Sequence, residues 1–358
     1  GTALNALQVS DAVNVVFDKS VHVTGDVVIQ ATGTGQFNDL LTLDGGTLRI
    51  VGASSVMLGT VQLGNGGDLV ISANMLSLLG NVTSSGDANL TLFAATPNGN
   101  IVIGGSGAAG SLVITGDTLS HLQGFSTVDI GSAVNGQATP ASGSATVDLS
   151  ALAKLSAGQV NVHGSQVALQ GVGQLTGVTG GISIDSAGVL SMGGTTSLTT
   201  NGASITMHAQ DNLTLGSLNT GASGTVILVS NSGIISDVGN GTAPNVTTGT
   251  LVMRGYGPVW QNGQSAVAAI EVAASRIDVD APGGLVLRDS GANGETVFNL
   301  YQGTQVHRQL VALGTPERVT SPLQPDLGGM NGVTASIAAD GLSSTVSARS
   351  FAAFSSPS

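Results

Sequence analysis

The sequence predicts an all-β fold, a parallel β-helix (solenoid) of about 20–22 residues per coil with an irregular C-terminal cap or tail. Three observations carry this. Apolar residues alternate with small polar ones in short runs, the period of two that marks a strand. Gly, Asn, Ser and Asp separate the runs and supply turn conformations, and no connector is long enough for a helix. Apolar positions recur at one interval, as Ile205 and Val226 do within 202–237, GASITMHAQDNLTLGSLNTGASGTVILVSNSGIISD. A period of about 20 to 50 residues signals a solenoid or a propeller. Propeller blades take about 40 residues and carry aromatic signatures, and this chain has one Trp and two Tyr. Three strands of about five residues with short turns fill one β-helix coil instead.

Taken in order, the runs begin with VNVVF, VHVT, DVVIQA, LLTL, TLRIVG, SVMLG and VQLG between residues 13 and 64. From residue 68 the repeat sharpens: DLVISA, NLTLFAA and SLVITG put Leu69, Leu90 and Leu112 in equivalent positions, with MLSLLG and NIVIG as second strands. STVDIG, ATVDLS, QVNVHG, GISIDS and SITMHA extend the series through Val128, Val147, Val160, Ile182 and Ile205. Residues 251–289 still alternate but bring in Arg254, Arg276 and Arg288. After residue 295 the alternation weakens and Pro316, Pro322 and Pro325 appear. The expected division is a β-helical solenoid over 1–290 and an irregular cap, tail or assembly segment over 291–358. An open strand end must be covered or broken to prevent edge pairing.

Composition agrees with this architecture. The 358 residues include 54 glycines, yet 41% are hydrophobic, enough for a core and against disorder. Only 8% are charged, so the solvated faces are built of Thr, Ser, Asn, Gln and Gly. The net charge of −12 arises from nine Lys and Arg against 21 acids, which makes nucleic acid an unsuitable partner. The absence of cysteine excludes disulfides and Cys-type zinc sites. It fits an extracellular protein without bridges and equally a cytosolic one. No apolar run approaches the ~18 residues of a transmembrane helix, and the first residues, GTALNALQ, lack the features of a signal peptide. Gly1 is read as the start of a processed or excised fragment.

Residues 202–216, GASITMHAQDNLTLG, resemble the repetitive passengers of large bacterial surface proteins of the filamentous haemagglutinin type. GTVILVSNSGIISD and AIEVAASRIDVDAPGGLVLRDSG continue the likeness, which spans about residues 68–291. The resemblance implies a right-handed parallel β-helix exported to the cell surface, with adhesion or biofilm roles. The Asn-Pro-Asn motifs of the secretion domain in such exoproteins are approached only by Thr96-Pro97-Asn98-Gly99, so that domain is not assigned. The calcium-binding nonapeptide of toxin-repeat proteins is missing too.

Motif-readable chemistry is sparse. Gly105, Gly107 and Gly110 form a GxGxxG, but a strand rather than a helix follows, which removes dinucleotide binding. No phosphate-loop Gly-Lys pair, HExxH or Gly-x-Ser-x-Gly occurs, and no cofactor, metal ligand or catalytic residue is assigned. One candidate site remains. With Val128, Val147, Val162, Ile184 and Met207 inward, Asp129, Asp148, His163, Asp185 and His208 face outward, and coils stacked in register make them one stripe. Pectate-lyase and polygalacturonase folds place Asp clusters on such a face to cleave polysaccharide. The plainer reading is that isolated Asp and His solvate the face, and the lack of nearby basic and aromatic residues favours it. Tyr256, Trp260 and Tyr301 form a candidate aromatic contact patch or a structural cap. Asn65, Asn89, Asn212, Asn219 and Asn231 at turns are read as stacked hydrogen-bond ladders.

The expected function is a non-enzymatic, extracellular or cell-surface structural or adhesive segment of a bacterial fibre, adhesin or biofilm matrix protein. Its expected partners are copies of itself, joined end to end, other matrix proteins, and polysaccharide. The alternative is a polysaccharide lyase or hydrolase using the Asp stripe.

Overall fold

The computed structural model describes residues 3–64, 66–85, 88–131, 143–239, 243–255 and 270–281 fully. For 133–134, 137–138, 260–261, 264–265, 285–289, 297–300, 305–310, 334–337 and 343–347 it describes the backbone strands alone. The protein is all-β, with parallel strands stacked as a β-solenoid of about 11 turns. The alternating pattern therefore reads as it should. Backbone packing divides the chain into two compact units, Gly1–Gly188 and Val189–Ser358.

In the first unit the coils build three faces. The first face stacks Leu7–Ala12, Val27–Ala31, the early part of Leu48–Leu58 and of Leu69–Leu78, Asn89–Phe93, Phe125–Ile130, Ala157–Gly164 and Val178–Ser186. Its inward column runs Val27, Leu48, Leu69, Leu90, Val128, Val160 and Ile182 in register, each almost wholly buried. Burying each such side chain is worth about 1.5–3 kcal/mol, so the column is one of the rows that hold successive coils together. The residue steps are regular at first, 21 from 27 to 48, 48 to 69 and 69 to 90, then 38 to Val128, 32 to Val160 and 22 to Ile182.

The second face explains the long steps. It stacks Val15–Phe17, Thr34–Phe37 and the later parts of Leu48–Leu58 and Leu69–Leu78, followed by Leu112–Ile114, Ile101–Ile103, Ala145–Asp148 and Val167–Gln170. Strand Leu112–Ile114 lies between Met75 and the earlier strand Ile101–Ile103, so chain order and spatial order are reversed there. Leu112 and Val147, expected in the Leu69–Leu90 column, belong to this second face: Leu112 pairs with Ile101, and Val147 with Ile103 and Leu169. Insertions after Phe93 and Ile130 moved them out of phase. The third face is a five-stranded sheet of Val21–Val23, Leu41–Leu43, Val61–Leu63, Val82–Ser84 and Leu122–Gln123. Two helical turns, Gly116–Ser120 capped by Thr115 and Leu149–Leu152 capped by Asp148, pack against each other.

Corners are held by two devices. Where coils meet backbone to backbone, glycine recurs: a Cβ on Gly46, whose φ is +73°, would stand 2.6 Å from the carbonyl carbon of Gly25, and one on Gly67 2.9 Å from the Gly46 oxygen. Where a turn interrupts the ladder, an Asn or Asp side-chain oxygen takes the place of a backbone carbonyl. Asp26 accepts from the Thr47 N–H at 2.8 Å, Asp68 from Asn89 at 2.8 Å, Asn14 from Thr34 at 2.9 Å and Asn100 from Ser144 at 3.0 Å.

In the second unit Ile205, Val226, Leu251 and Ile277 form the buried column, with steps of 21, 25 and 26 residues. The pairing of Ile205 with Val226 is the interval read from the sequence. Two interior threonines are bonded: the Thr220 and Thr248 hydroxyls meet at 2.6 Å, and Thr248 also donates to the Gly224 carbonyl. The boundary expected at 290 lies outside the described residues. Parallel pairing is present on both sides of it, in Leu285–Asp289, Val297–Leu300 and Gln305–Leu310, whereas Thr334–Ile337 and Ser343–Ser347 pair antiparallel.

Candidate functional site

The five residues of the expected outer stripe do not form one row. Their strands alternate as predicted, with Val128, Val147, Val162, Ile184 and Met207 fully buried. Register separates their neighbours. Asp129 stands opposite Asn161, which donates to it from Nδ2 at 2.7 Å, and the next rung of that row is Ser183. Asp148 is on the second face, opposite Gln170, and its carboxylate accepts from the Ser150 N–H at 2.9 Å and hydroxyl at 2.7 Å as the cap of a helical turn. Asp129 and Asp148 thus serve different faces.

His163 and Asp185 are register partners two residues farther along the first face, with Nδ1 and Oδ2 3.6 Å apart. Both are 5% exposed, so the expectation that they are solvated is corrected. Alternation does not report what lies over a strand: the backbone of Gln137–Ala138, in the insertion after Ile130, runs near both strands that carry the pair. In the second unit, half-buried His208 accepts at Nε2 from the Asn231 carboxamide at 2.8 Å, and the same carboxamide donates to Gln210.

Each carboxylate of the stripe is therefore engaged with its own coil or an adjacent one. Among the described residues no group of three or more His, Asp and Glu gathers to hold a metal ion. General acid–base cleavage of a glycosidic bond requires two carboxyl groups facing one another across the substrate, and Asp129 and Asp148 are not so placed. Of the aromatic patch, Tyr256 and Tyr301 lie outside the described residues, and for Trp260 only the backbone pairing with Ser265 is described. The patch is therefore not located. Gly105, Gly107 and Gly110 occupy the loop between Ile101–Ile103 and Leu112–Ile114, with a strand following as expected.

Sequence reasoning missed three polar constellations. Asn245, 8% exposed, donates to the Gly216 carbonyl at 3.0 Å and to Asp237 at 2.8 Å, and accepts from the Glu271 N–H at 2.9 Å. His22 Nε2 lies 2.6 Å from Asp44 on the third face. Asp39, fully exposed, is held below the ordinary carboxylate range by the Leu40 N–H first and the Ser20 hydroxyl second. Only the position of Asn245 ahead of a strand hinted at such a role. Of the turn asparagines, Asn89 and Asn212 bond across coils, to Asp68 and to the Ile234 N–H, and Asn231 does so to His208 and Gln210, whereas Asn219 accepts from the Gly221 N–H two residues on in its own strand and is not a coil-to-coil rung; Asn65 lies outside the described residues.

Fold and side-chain placement together define a parallel β-solenoid built of repeated coils. No protein family, curated protein or solved structure matches the chain. Among the described residues no helix is long and apolar enough to cross a membrane.

Proposed function

We propose that this chain is a non-enzymatic structural or adhesive β-helical segment of a bacterial surface fibre, adhesin or biofilm matrix protein of the filamentous haemagglutinin type, working outside the cell. One observation carries the reading: the polar side chains that resembled a catalytic stripe are spent on the coil itself, Asp148 as a helix cap and Asp129 as an acceptor for Asn161. A solenoid of this kind acts by geometry, because its strands are paired coil to coil and it presents a surface at a distance from its anchor. Its partners in this reading are other copies of the chain, joined end to end, matrix proteins and neutral or acidic polysaccharide. Displayed on a non-adherent bacterium, the protein is expected to raise attachment to surfaces or to other cells. No gain in attachment, together with cleavage of polygalacturonate or alginate that disappears in Asp148→Ala, overturns the proposal in favour of a polysaccharide-active enzyme.

A further inference from the structure

The dipeptide Asn-Gly occurs eight times in the sequence. It is the step most prone to intramolecular chemistry, because glycine has no Cβ to shield its nitrogen from the preceding carboxamide. Two of these steps have both residues described, Asn98–Gly99 and Asn201–Gly202. Their intrinsic reactivity is the same. Their surroundings differ.

Asn98–Gly99 is pinned. The Gly99 N–H donates to the Thr96 carbonyl at 2.8 Å, and the Gly99 carbonyl accepts from the Gly143 N–H at 3.1 Å. Asn201 and Gly202 are exposed in a bend between Ser197–Thr200 and Ser204–Ala209. Among the described residues no hydrogen bond holds the Gly202 N–H or the Asn201 carboxamide. We infer that Asn201 is a site of spontaneous covalent modification, at which the folded protein converts asparagine to aspartate and isoaspartate. The Gly202 nitrogen attacks Asn201 Cγ, a new N–C bond closes the five-membered imide, and the carboxamide nitrogen leaves as ammonia with the proton released by Gly202. Water then adds to either imide carbonyl and opens the ring, so no other reactant is required.

The product matters at this corner. It adds one negative charge, and in the isoaspartyl form it lengthens the main chain by a methylene between two strands that both pair with Ser217–Ser230. The test uses the intact folded protein, incubated in mildly alkaline buffer below its melting temperature and sampled by peptide mass mapping with isoaspartate detection. Because a held N–H must first be released, Asn201 is expected to react at least about fivefold faster than Asn98. In urea the two rates are expected to converge. Asn201→Gln removes the product from its peptide while the β spectrum stays unchanged. Equal rates in the folded chain, or an Asn201 that stays intact while the unfolded chain reacts, overturns the inference.

Discussion

Replacing Asn245 by Ala removes a side chain that joins three successive segments of the second unit, through Gly216, Asp237 and Glu271. Asn245 is 8% exposed and Glu271, whose N–H it serves, is 3% exposed, so water does not readily replace the lost partner. The bond to the Asp237 carboxylate contributes about 1.5–3 kcal/mol as a charge-assisted contact, and an unsatisfied buried N–H costs about 1–3 kcal/mol. These losses share one site and overlap, so a destabilisation of roughly 3–5 kcal/mol is expected. Solenoids open coil by coil, so a urea midpoint is best paired with hydrogen exchange. Faster exchange should be concentrated in Ser217–Ser230 and Val246–Gly255, the strands beside the lost contact. Asn231→Ala is the control: it also loses two bonds, but at an exposed position, and should cost under ~1 kcal/mol. An Asn245→Ala protein no less stable than the control would refute the claim that side chains at interrupted corners carry coil-to-coil cohesion.

Four further outcomes follow from the same reasoning. Gly46→Ala should cost about 2–3 kcal/mol by thermal melting, since its φ of +73° and the 2.6 Å approach to Gly25 both oppose a Cβ; Ala88, one column step beyond Gly67, is buried without strain, and Ala88→Gly should cost only about 0.5–1 kcal/mol. Thr248→Val keeps the volume but leaves the Gly224 carbonyl without its hydroxyl donor, an expected loss of about 1–3 kcal/mol in urea unfolding. Asp148→Ala should lower stability by about 1 kcal/mol through the lost cap, read by the same unfolding curve. Asp39 is depressed below its unfolded value of 3.8, so its stabilising contribution is present above that pH and is lost as pH falls through the folded value. The acid limb of a pH–melting curve should therefore be shallower in Asp39→Asn than in the wild type.

The inside and outside of each strand were legible, because alternation states directly which residues face the core: Val128, Val147, Val162, Ile184 and Met207 are all buried. The coil length was legible wherever turns are tight, as between Leu69 and Leu90 or Ile205 and Val226. Which face a strand joins was not. A short run such as ATVDLS has the same alternation on any of the three faces, and only the number of residues since the last corner assigns it. The insertions after Phe93 and Ile130 broke that count, which moved Leu112 and Val147 to another column and took Asp148 off the face of Asp129; His163 stays on that face but two residues beyond the Asp129 rung, a register offset that alternation of period two cannot detect. The burial of His163 and Asp185 was beyond sequence reading for a different reason: both stand at positions that alternation turns outward, and alternation carries no information on what surrounds an outward side chain. Asn245 was hidden because its partners, Gly216 and Glu271, are 29 and 26 residues away.

The reversed placement of Ile101–Ile103 bears on how the molecule is made. A chain emerging from its N-terminus can lay each new strand on the one before, and through Leu69–Leu78 nothing here requires otherwise. At residue 101 that growth rule fails: the strand's neighbour on the older side is Leu112–Ile114, which is synthesised after it. On the newer side it waits for Ala145–Asp148. Until residue 114 is available the strand has no older neighbour on this face, so addition of strands in strict chain order cannot build it. A lengthened 104–111 loop would raise the entropic cost of closing that reversed pair.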